Sequence, residues 1–304
     1  MRLVITGGTG FIGRALCDRL VGLGHAVTVL TRDAARARDH LPPQAAVLGW
    51  SPAVGASPGL IRALEESDAV VNLAGEPVAA GRWSEARKAA IRESRVGTTA
   101  VLVSALSRSG RKPTVFVSAS AIGYYGSRGD EALTEEAGAG RGFLAELCQE
   151  WETAASVAQP LGIRVVLPRI GVVLGPGGAL AKMLPAFRMG LGGPISRGTQ
   201  WMSWIHRSDL IELLLTLLTQ DIRGPINATA PEPVTNEEFS RVLGRVLHRP
   251  TWARVPAFML KLVWGQMAEE LLLTGQRVVP QRAQAMGLRF GYPTLDEALH
   301  DLVR

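Results

Sequence analysis

Short β-branched runs alternate with longer helical patterns through the first half of the chain. Leu3-Val4-Ile5 leads into a glycine loop, and the spacing after it predicts a helix from about Phe11 to Leu23. Ala26 to Leu30, Ala69 to Leu73, Thr114 to Val117 and Ile163 to Leu167 read as further strands, with a weaker one around Ala46 to Leu48. Apolar runs of this length, separated by helices, mark parallel strands buried on both faces. Between them, Val96, Ala100, Val103 and Leu106 predict one apolar helix stripe, and Phe143, Leu147, Trp151 and Ala154 a second. Strand and helix in strict alternation predict a doubly wound α/β sheet.

After residue 170 the pattern changes. Residues 171–198 are glycine-rich, with a helical insert around Leu180 to Met189. Trp201 to Ile205 and Pro225 to Ala228 read as late strands on either side of a helix from Asp209 to Leu218. Asp209-Leu210-Ile211-Glu212 has capping-box spacing, and Thr235-Asn236-Glu237-Glu238 repeats it where the mostly helical tail begins. No internal repeat or long linker divides the chain, so a second domain has to be assembled from separate insertions on the first.

Composition narrows the class. Across 304 residues, a hydrophobic fraction of 47% and a charged fraction of 20% exclude intrinsic disorder. Two cysteines, Cys17 and Cys148, are too few for a disulfide framework or a cysteine zinc cluster, which points to a reduced intracellular chain. The five histidines show no paired ligand spacing, so no metal site is expected. The net charge is +6, but only four of the 33 basic residues are lysines and the arginines form no run, so no nucleic-acid partner is expected. Leu210 to Leu218 is the most apolar later stretch, carries Glu212 and is half the length of a bilayer span. The expectation is a soluble cytoplasmic protein with no membrane partner.

The strongest chemical signal is Thr6-Gly7-Gly8-Thr9-Gly10-Phe11-Ile12-Gly13. Gly7, Gly10 and Gly13 are spaced by three, follow the first strand and open a helix. That placement lets the backbone approach a pyrophosphate and aims the helix N-terminus at it. Dinucleotide binding on a Rossmann sheet is therefore expected, with Phe11 and Ile12 in the loop's contact set. At the end of the second strand an NAD site usually carries an acid for the ribose hydroxyls. Here stand Thr31 and Arg32, which favour NADP(H) through a charge-assisted contact to a 2′-phosphate; Asp33 leaves NAD(H) as the second choice. Leu73, Ala74 and Gly75 end another strand with small residues that leave room for adenine and ribose. Arg95, on one predicted helix face with Arg92 and Thr99, is a candidate for phosphate.

These residues resemble the extended short-chain dehydrogenase/reductases. Ser118-Ala119-Ser120-Ala121-Ile122-Gly123-Tyr124-Tyr125-Gly126, Arg169-Ile170-Gly171 and Trp204-Ile205-His206-Arg207-Ser208-Asp209 fit the same family. Thr31-Arg32, Trp151-Glu152 and Gly190 to Ile195 place the chain near an atypical epimerase-like branch of the NAD-dependent epimerase/dehydratase superfamily. The resemblance spans nearly the whole chain. It implies a dinucleotide-binding Rossmann domain over 1–174 and 200–230 and a smaller, mainly helical substrate-binding domain over 175–199 and 231–304. Relatives often dimerise, so a monomer or homodimer is expected.

The family's chemistry usually needs a Tyr-x-x-x-Lys pair on one helix face. Four residues before the four lysines stand Ser84, Arg108, Gly178 and Ala257, so the pair is absent. Alignment on Glu152 puts Leu144 and Cys148 in its place. The resemblance makes Ser120 the substrate-binding hydroxyl, and Tyr124 and Tyr125 become the candidate proton donors. Two functions remain: an NADP(H)-dependent reductase- or epimerase-like protein acting on a carbonyl or hydroxyl small molecule, or a non-catalytic NADP(H)-binding redox sensor or scaffold.

Overall fold

Beside the short Ser120–Ala121 strand, which pairs parallel with Arg169–Ile170, seven strands form the central sheet of the computed structural model, which describes residues 1–303. They are β1 (Arg2–Thr6), β2 (Ala26–Thr31), β3 (Ala46–Gly49), β4 (Ala69–Asn72), β5 (Val115–Ser118), β6 (Arg164–Ile170) and β7 (Gly224–Ala228). Their order is β3-β2-β1-β4-β5-β6-β7, and every neighbouring pair is parallel. The chain winds outward from β1 to β3, then crosses to β4 and winds the other way. The resulting crevice at the carboxyl ends of β1 and β4 is the usual ligand position in such sheets.

Successive side chains on each strand feed opposite layers, which is why the strands read as unbroken apolar runs. Ile5, Val71 and Val117 pack under the Phe11–Gly22 and Arg207–Thr219 helices, against Leu16, Leu20, Leu210 and Leu214. Val4, Val70 and Phe116 face the other layer, against Leu60, Leu64, Leu102 and Leu106. A third core holds Leu180, Phe187, Trp204, Phe239, Leu243 and Leu299 of the later residues. The Gly178–Arg188, Asn236–Val246 and Leu295–Val303 helices close around it. This is the expected Rossmann-like sheet with a mainly helical C-terminal region. Among the described residues no helix is long and apolar enough to cross a membrane, and no three metal-ligating side chains cluster.

Three local expectations are corrected. The stripe through Val96 and Ala100 is broken because residues Glu93–Gly97 form a π turn, which inserts an extra residue and rotates the helix face. Ala100 is exposed, and Thr98, Thr99 and Leu102 join the expected Val103 and Leu106 on the buried face. Trp201 to Ile205 is not one strand: Trp201–Met202 pairs antiparallel with Val234–Thr235, while Trp204–His206 pairs parallel with Val172–Leu174. Asp209 does not cap its helix. His206 does so, its Nδ1 accepting from Ser208 N at 3.2 Å. The Asp209 carboxylate instead accepts from Gly291 N (2.8 Å) and Tyr292 N (3.0 Å), tying this helix to the C-terminal segment. Thr235 does cap, accepting from Glu238 N at 3.2 Å.

Candidate functional site

At the end of β1 the chain reverses through Gly7, whose φ is +69°. A Cβ there would sit 2.5 Å from the Leu73 carbonyl oxygen, and one on Gly13 would overlap the Gly7 carbonyl. Only glycines let the loop close this tightly against the end of β4. Gly10 N donates to Gly7 O at 3.0 Å, and Gly10 is the N-cap of the Phe11–Gly22 helix. No side chain caps that helix and its first turn carries no acid, so its first-turn N–H groups keep the positive end of the dipole. The Phe11 ring lies against Gly175, Gly177 and Gly178, with the Arg207 guanidinium over it at 5.1 Å. Ile12 packs downward onto the core.

The rim beyond β2 is arginine-rich. Asp33 caps the Ala34–Arg38 helix, its carboxylate accepting from Arg36 N at 3.0 Å. Thr31 Oγ1 accepts from Asp33 N at 3.3 Å and helps to hold that turn. Arg32 is left reaching into solvent, with Nη2 3.5 Å from Glu76 Oε1, while Arg87 approaches the other Glu76 oxygen at 3.6 Å. Leu73 N continues the strand by donating to Thr6 O at 3.1 Å, and Ala74 and Gly75 follow over the crevice. Gly75 is free of a side chain because the Arg95 guanidinium occupies that space, 2.8 Å from where a Cβ would stand.

Arg95, Arg92 and Thr99 do not share one open face. Arg95 is tucked beneath Gly75, 5.4 Å from the Trp151 ring, and burial pulls its guanidinium below the usual arginine range. Arg92 pairs with Glu150 at the surface (2.7 Å). Thr99 is buried, accepting from Asn72 Nδ2 (2.8 Å) and Trp151 Nε1 (3.0 Å). Asn72 is the clasp of the crevice: its Oδ1 accepts from Thr6 Oγ1 at 2.6 Å and its Nδ2 also donates to Ser118 Oγ at 3.1 Å.

Past β5 lies a buried polar network. Ser120 Oγ donates to Glu152 Oε1 at 2.7 Å, and Arg169 holds both Glu152 oxygens at 2.8 and 2.9 Å. Arg169 Nη1 donates to Tyr125 OH (2.9 Å), which donates in turn to Asn227 Oδ1 (2.6 Å). Burial opposes the charge on Arg169, but its bonds and ion pair with Glu152 prevail and push its pKa up. Tyr125 is fully buried, burial raises its pKa, and its hydroxyl is engaged on both sides. That corrects its candidacy as a proton donor, because its one proton is given to Asn227 while its oxygen is taken by Arg169. Tyr124 is half-buried, its ring face 3.4 Å from the Arg169 guanidinium carbon, and its hydroxyl bonds to none of the described residues.

Leu144 and Cys148 lie beneath the Ile122–Tyr125 turn, where a Cβ on Gly123 would stand 3.2 Å from Leu144 Cβ and 3.9 Å from Cys148 Sγ. Burial pushes the Cys148 thiol up to about 12, so it stays neutral and serves as packing. Trp204 is core, donating to Glu232 O, whereas Trp201 is half-buried and donates to Asp130 at 2.8 Å. Glu152, Arg169 and Arg207 stand out in the sequence only within family-like motifs, which do not show that Glu152 pairs with Arg169 or that Arg207 covers Phe11. The available signal was Arg169 itself, a charge inside the apolar run from Val165 to Ile170, where burial demands a partner.

Residues 3–228 match the NAD dependent epimerase/dehydratase family, and residues 255–302 match DUF1731, a domain of unknown function. The chain belongs to the NAD dependent epimerase/dehydratase family. Within it, the chain is 42% identical to the Arabidopsis thaliana epimerase family protein SDR39U1 homolog, chloroplastic, over all of this chain and 87% of that protein. It is 35% identical to human epimerase family protein SDR39U1, with both chains covered in full. The crystal structure of human SDR39U1 (isoform 2) with NADPH aligns with a TM-score of 0.89 at 34% identity, over 99% of each chain. The UDP-glucose 4-epimerase of Thermotoga maritima, at 18% identity, shares the fold with a TM-score of 0.80 over 99% of this chain and 96% of that one.

Proposed function

We propose that the chain binds NADP(H) across the β1–β4 crevice and acts, as a reductase- or epimerase-like protein, on a carbonyl or hydroxyl small molecule. The observation that carries the cofactor choice is the commitment of the Asp33 carboxylate to Arg36 N, which leaves Arg32, solvent-exposed and held only by an ion pair with Glu76 at 3.5 Å, as the group that can turn to a 2′-phosphate at the end of β2. The human relative crystallised with NADPH supports the same choice. The cradle that a Cβ would fill at Gly7 and Gly13, with an uncapped helix start behind it, suits a pyrophosphate. Gly7, Gly10, Phe11, Ile12 and Gly13 would hold that group, Thr31 and Arg32 the 2′-phosphate, and Leu73, Ala74, Gly75 and Arg95 the adenosine side.

When bound, the nicotinamide supplies or accepts hydride. The chain's residues supply position and a proton path. The Ser120 hydroxyl hydrogen is already given to Glu152, so toward a substrate its oxygen can only accept. A proton leaving a substrate hydroxyl can pass to Ser120 as Ser120's own passes to Glu152. Tyr124, held by Arg169 across its ring, is the second proton carrier in this reading. Leu144 stands where the family's tyrosine usually stands, and the loss of one positioned acid costs about 10²–10⁴-fold in rate. Slow turnover follows. A non-catalytic NADP(H) sensor is the second reading, favoured by the engaged Tyr125 hydroxyl and the inert Leu144 and Cys148.

Titration of NADPH and NADH by fluorescence or calorimetry tests the cofactor assignment. NADPH is expected to bind about tenfold tighter or more, the worth of a charge-assisted contact. Arg32→Ala should erase most of that gap. Equal affinities in the parent protein overturn the assignment.

A further inference from the structure

Eleven large hydrophobic side chains of the described residues are exposed, and seven of them fall on two segments of the C-terminal region. Met189 and Leu191 follow the Gly178–Arg188 helix; Trp252 precedes the Ala257–Trp264 helix, which itself carries Phe258, Met259, Leu262 and Val263. Each of the seven exposes 50% to 76% of its surface. The two segments run side by side. Arg249 Nε donates to Arg188 O (2.9 Å), Val255 N to Pro194 O (3.1 Å) and Ser196 N to Val255 O (2.8 Å). The apolar side chains therefore belong to one neighbourhood, and in the helix only Leu260 is fully turned inward.

The two segments themselves carry charge of one sign, with acids only at their borders. Residues 178–200 and 239–268 contain eight lysines and arginines and no aspartate or glutamate. Four of the eight are neutralised from outside: Arg241 by Glu238, Arg245 by Asp296, Arg254 by Glu237 and Lys261 by Glu269. Lys182, Arg188, Arg197 and Arg249 have no carboxylate partner among the described residues.

We infer that this face is a docking surface for an anionic phospholipid bilayer, with Trp252, Phe258 and Leu262 entering the headgroup boundary and Arg188, Arg197 and Arg249 meeting the lipid charge. Exposed aromatic and aliphatic side chains ringed by free arginines are what interfacial binding needs, and no spanning segment is required. A two-fold contact with a second copy would lay the unpaired Arg188, Arg197 and Arg249 near their own counterparts, because the bordering Glu237, Glu238 and Glu269 are already held by Arg254, Arg241 and Lys261. A nucleic acid would answer the charge but leave Met189, Leu191, Met259, Leu262 and Val263 without a partner, because aliphatic side chains offer bases no stacking face. The expectation of no membrane partner rested on the absence of a spanning stretch, which surface attachment does not use.

Flotation of the full chain with vesicles tests this. The chain is expected to float with phosphatidylcholine–phosphatidylglycerol vesicles, to stay behind with phosphatidylcholine alone, and to be released by high salt. Arg188→Ala with Arg249→Ala should weaken binding about 25-fold, about fivefold for each charge. Phe258→Glu with Leu262→Glu should abolish it. All four positions are exposed, so unchanged melting and NADPH titration confirm that the variants are folded. The inference is overturned by equal binding to both vesicle types or by binding to neither. It is equally overturned if single-stranded DNA displaces the vesicles, or if size measurement shows a dimer that Phe258→Glu splits while vesicles remain unbound.

Discussion

At the scale of single residues, the glycine loop is constrained by backbone rather than by side-chain chemistry. A methyl at position 13 would strike the Gly7 carbonyl, and backbone cannot step aside as a flexible side chain can. Gly13→Ala should therefore push the loop away from the start of the helix, weaken NADPH binding by about tenfold or more through about 1–3 kcal/mol of overpacking, and lower the melting temperature. Fluorescence titration checks it, and parent-like affinity in the variant would remove the loop from the cofactor site. The glycines were readable in sequence because the demand on them is local. The two tyrosines were not separable in the same way. Tyr124 and Tyr125 are neighbours of identical chemistry, and what divides them is Asn227, 102 residues away, which takes the Tyr125 proton.

At the scale of elements, the Phe143–Ser156 helix and β6 are joined by one buried ion pair. The Arg169 and Glu152 side chains are 4% and 11% exposed, so solvent screens the pair little. Glu152→Ala leaves a buried guanidinium without its carboxylate and should cost about 3–5 kcal/mol in denaturant unfolding. Glu152→Leu combined with Arg169→Met should recover most of that loss, since paired apolar replacement removes both desolvation penalties. A single variant as stable as the parent would mean that the pair is not closed in solution. Helix periodicity showed the Phe143, Leu147 and Trp151 face correctly, because it follows the regular α repeat. It failed at Ala100, after the π turn shifts the phase, and no residue of Glu93–Gly97 announces that turn.

At the scale of the whole molecule, His206 joins the sheet's helical layer to the C-terminal segment. Its ring lies 3.8 Å from that of Tyr292, and its Nε2 is 3.4 Å from Asp301 Oδ2. Burial lowers its pKa below the usual 6.5 despite the opposing fields of Asp209 and Asp301, while Arg207 adds to the lowering. The folded chain therefore keeps it neutral where the unfolded chain protonates it. More protons are bound by the unfolded state, so the stability it contributes is present above 6.5 and is lost as pH falls through the lower folded value. Half-buried His25 is shifted in the same direction and adds the same sign. Thermal melts across this range should show the decline, and His206→Asn, which can still cap the helix, should flatten it. An unchanged slope in that variant would remove His206 as the cause.

The sequence by itself determined the sheet, the order of its strands and helices, the glycine loop and the arginine at the end of β2. These depend on local rules: two-face burial makes continuous apolar strands, and a tight turn before a helix admits only glycine. Tertiary structure alone decided that Tyr125 is sealed while Tyr124 is not, and that Glu152 meets Arg169. It also brought residues 188–198 beside 249–256 to gather scattered apolar and basic side chains into one face. Each of these depends on which distant group fills a side chain's surroundings, and spacing along a chain carries no record of that.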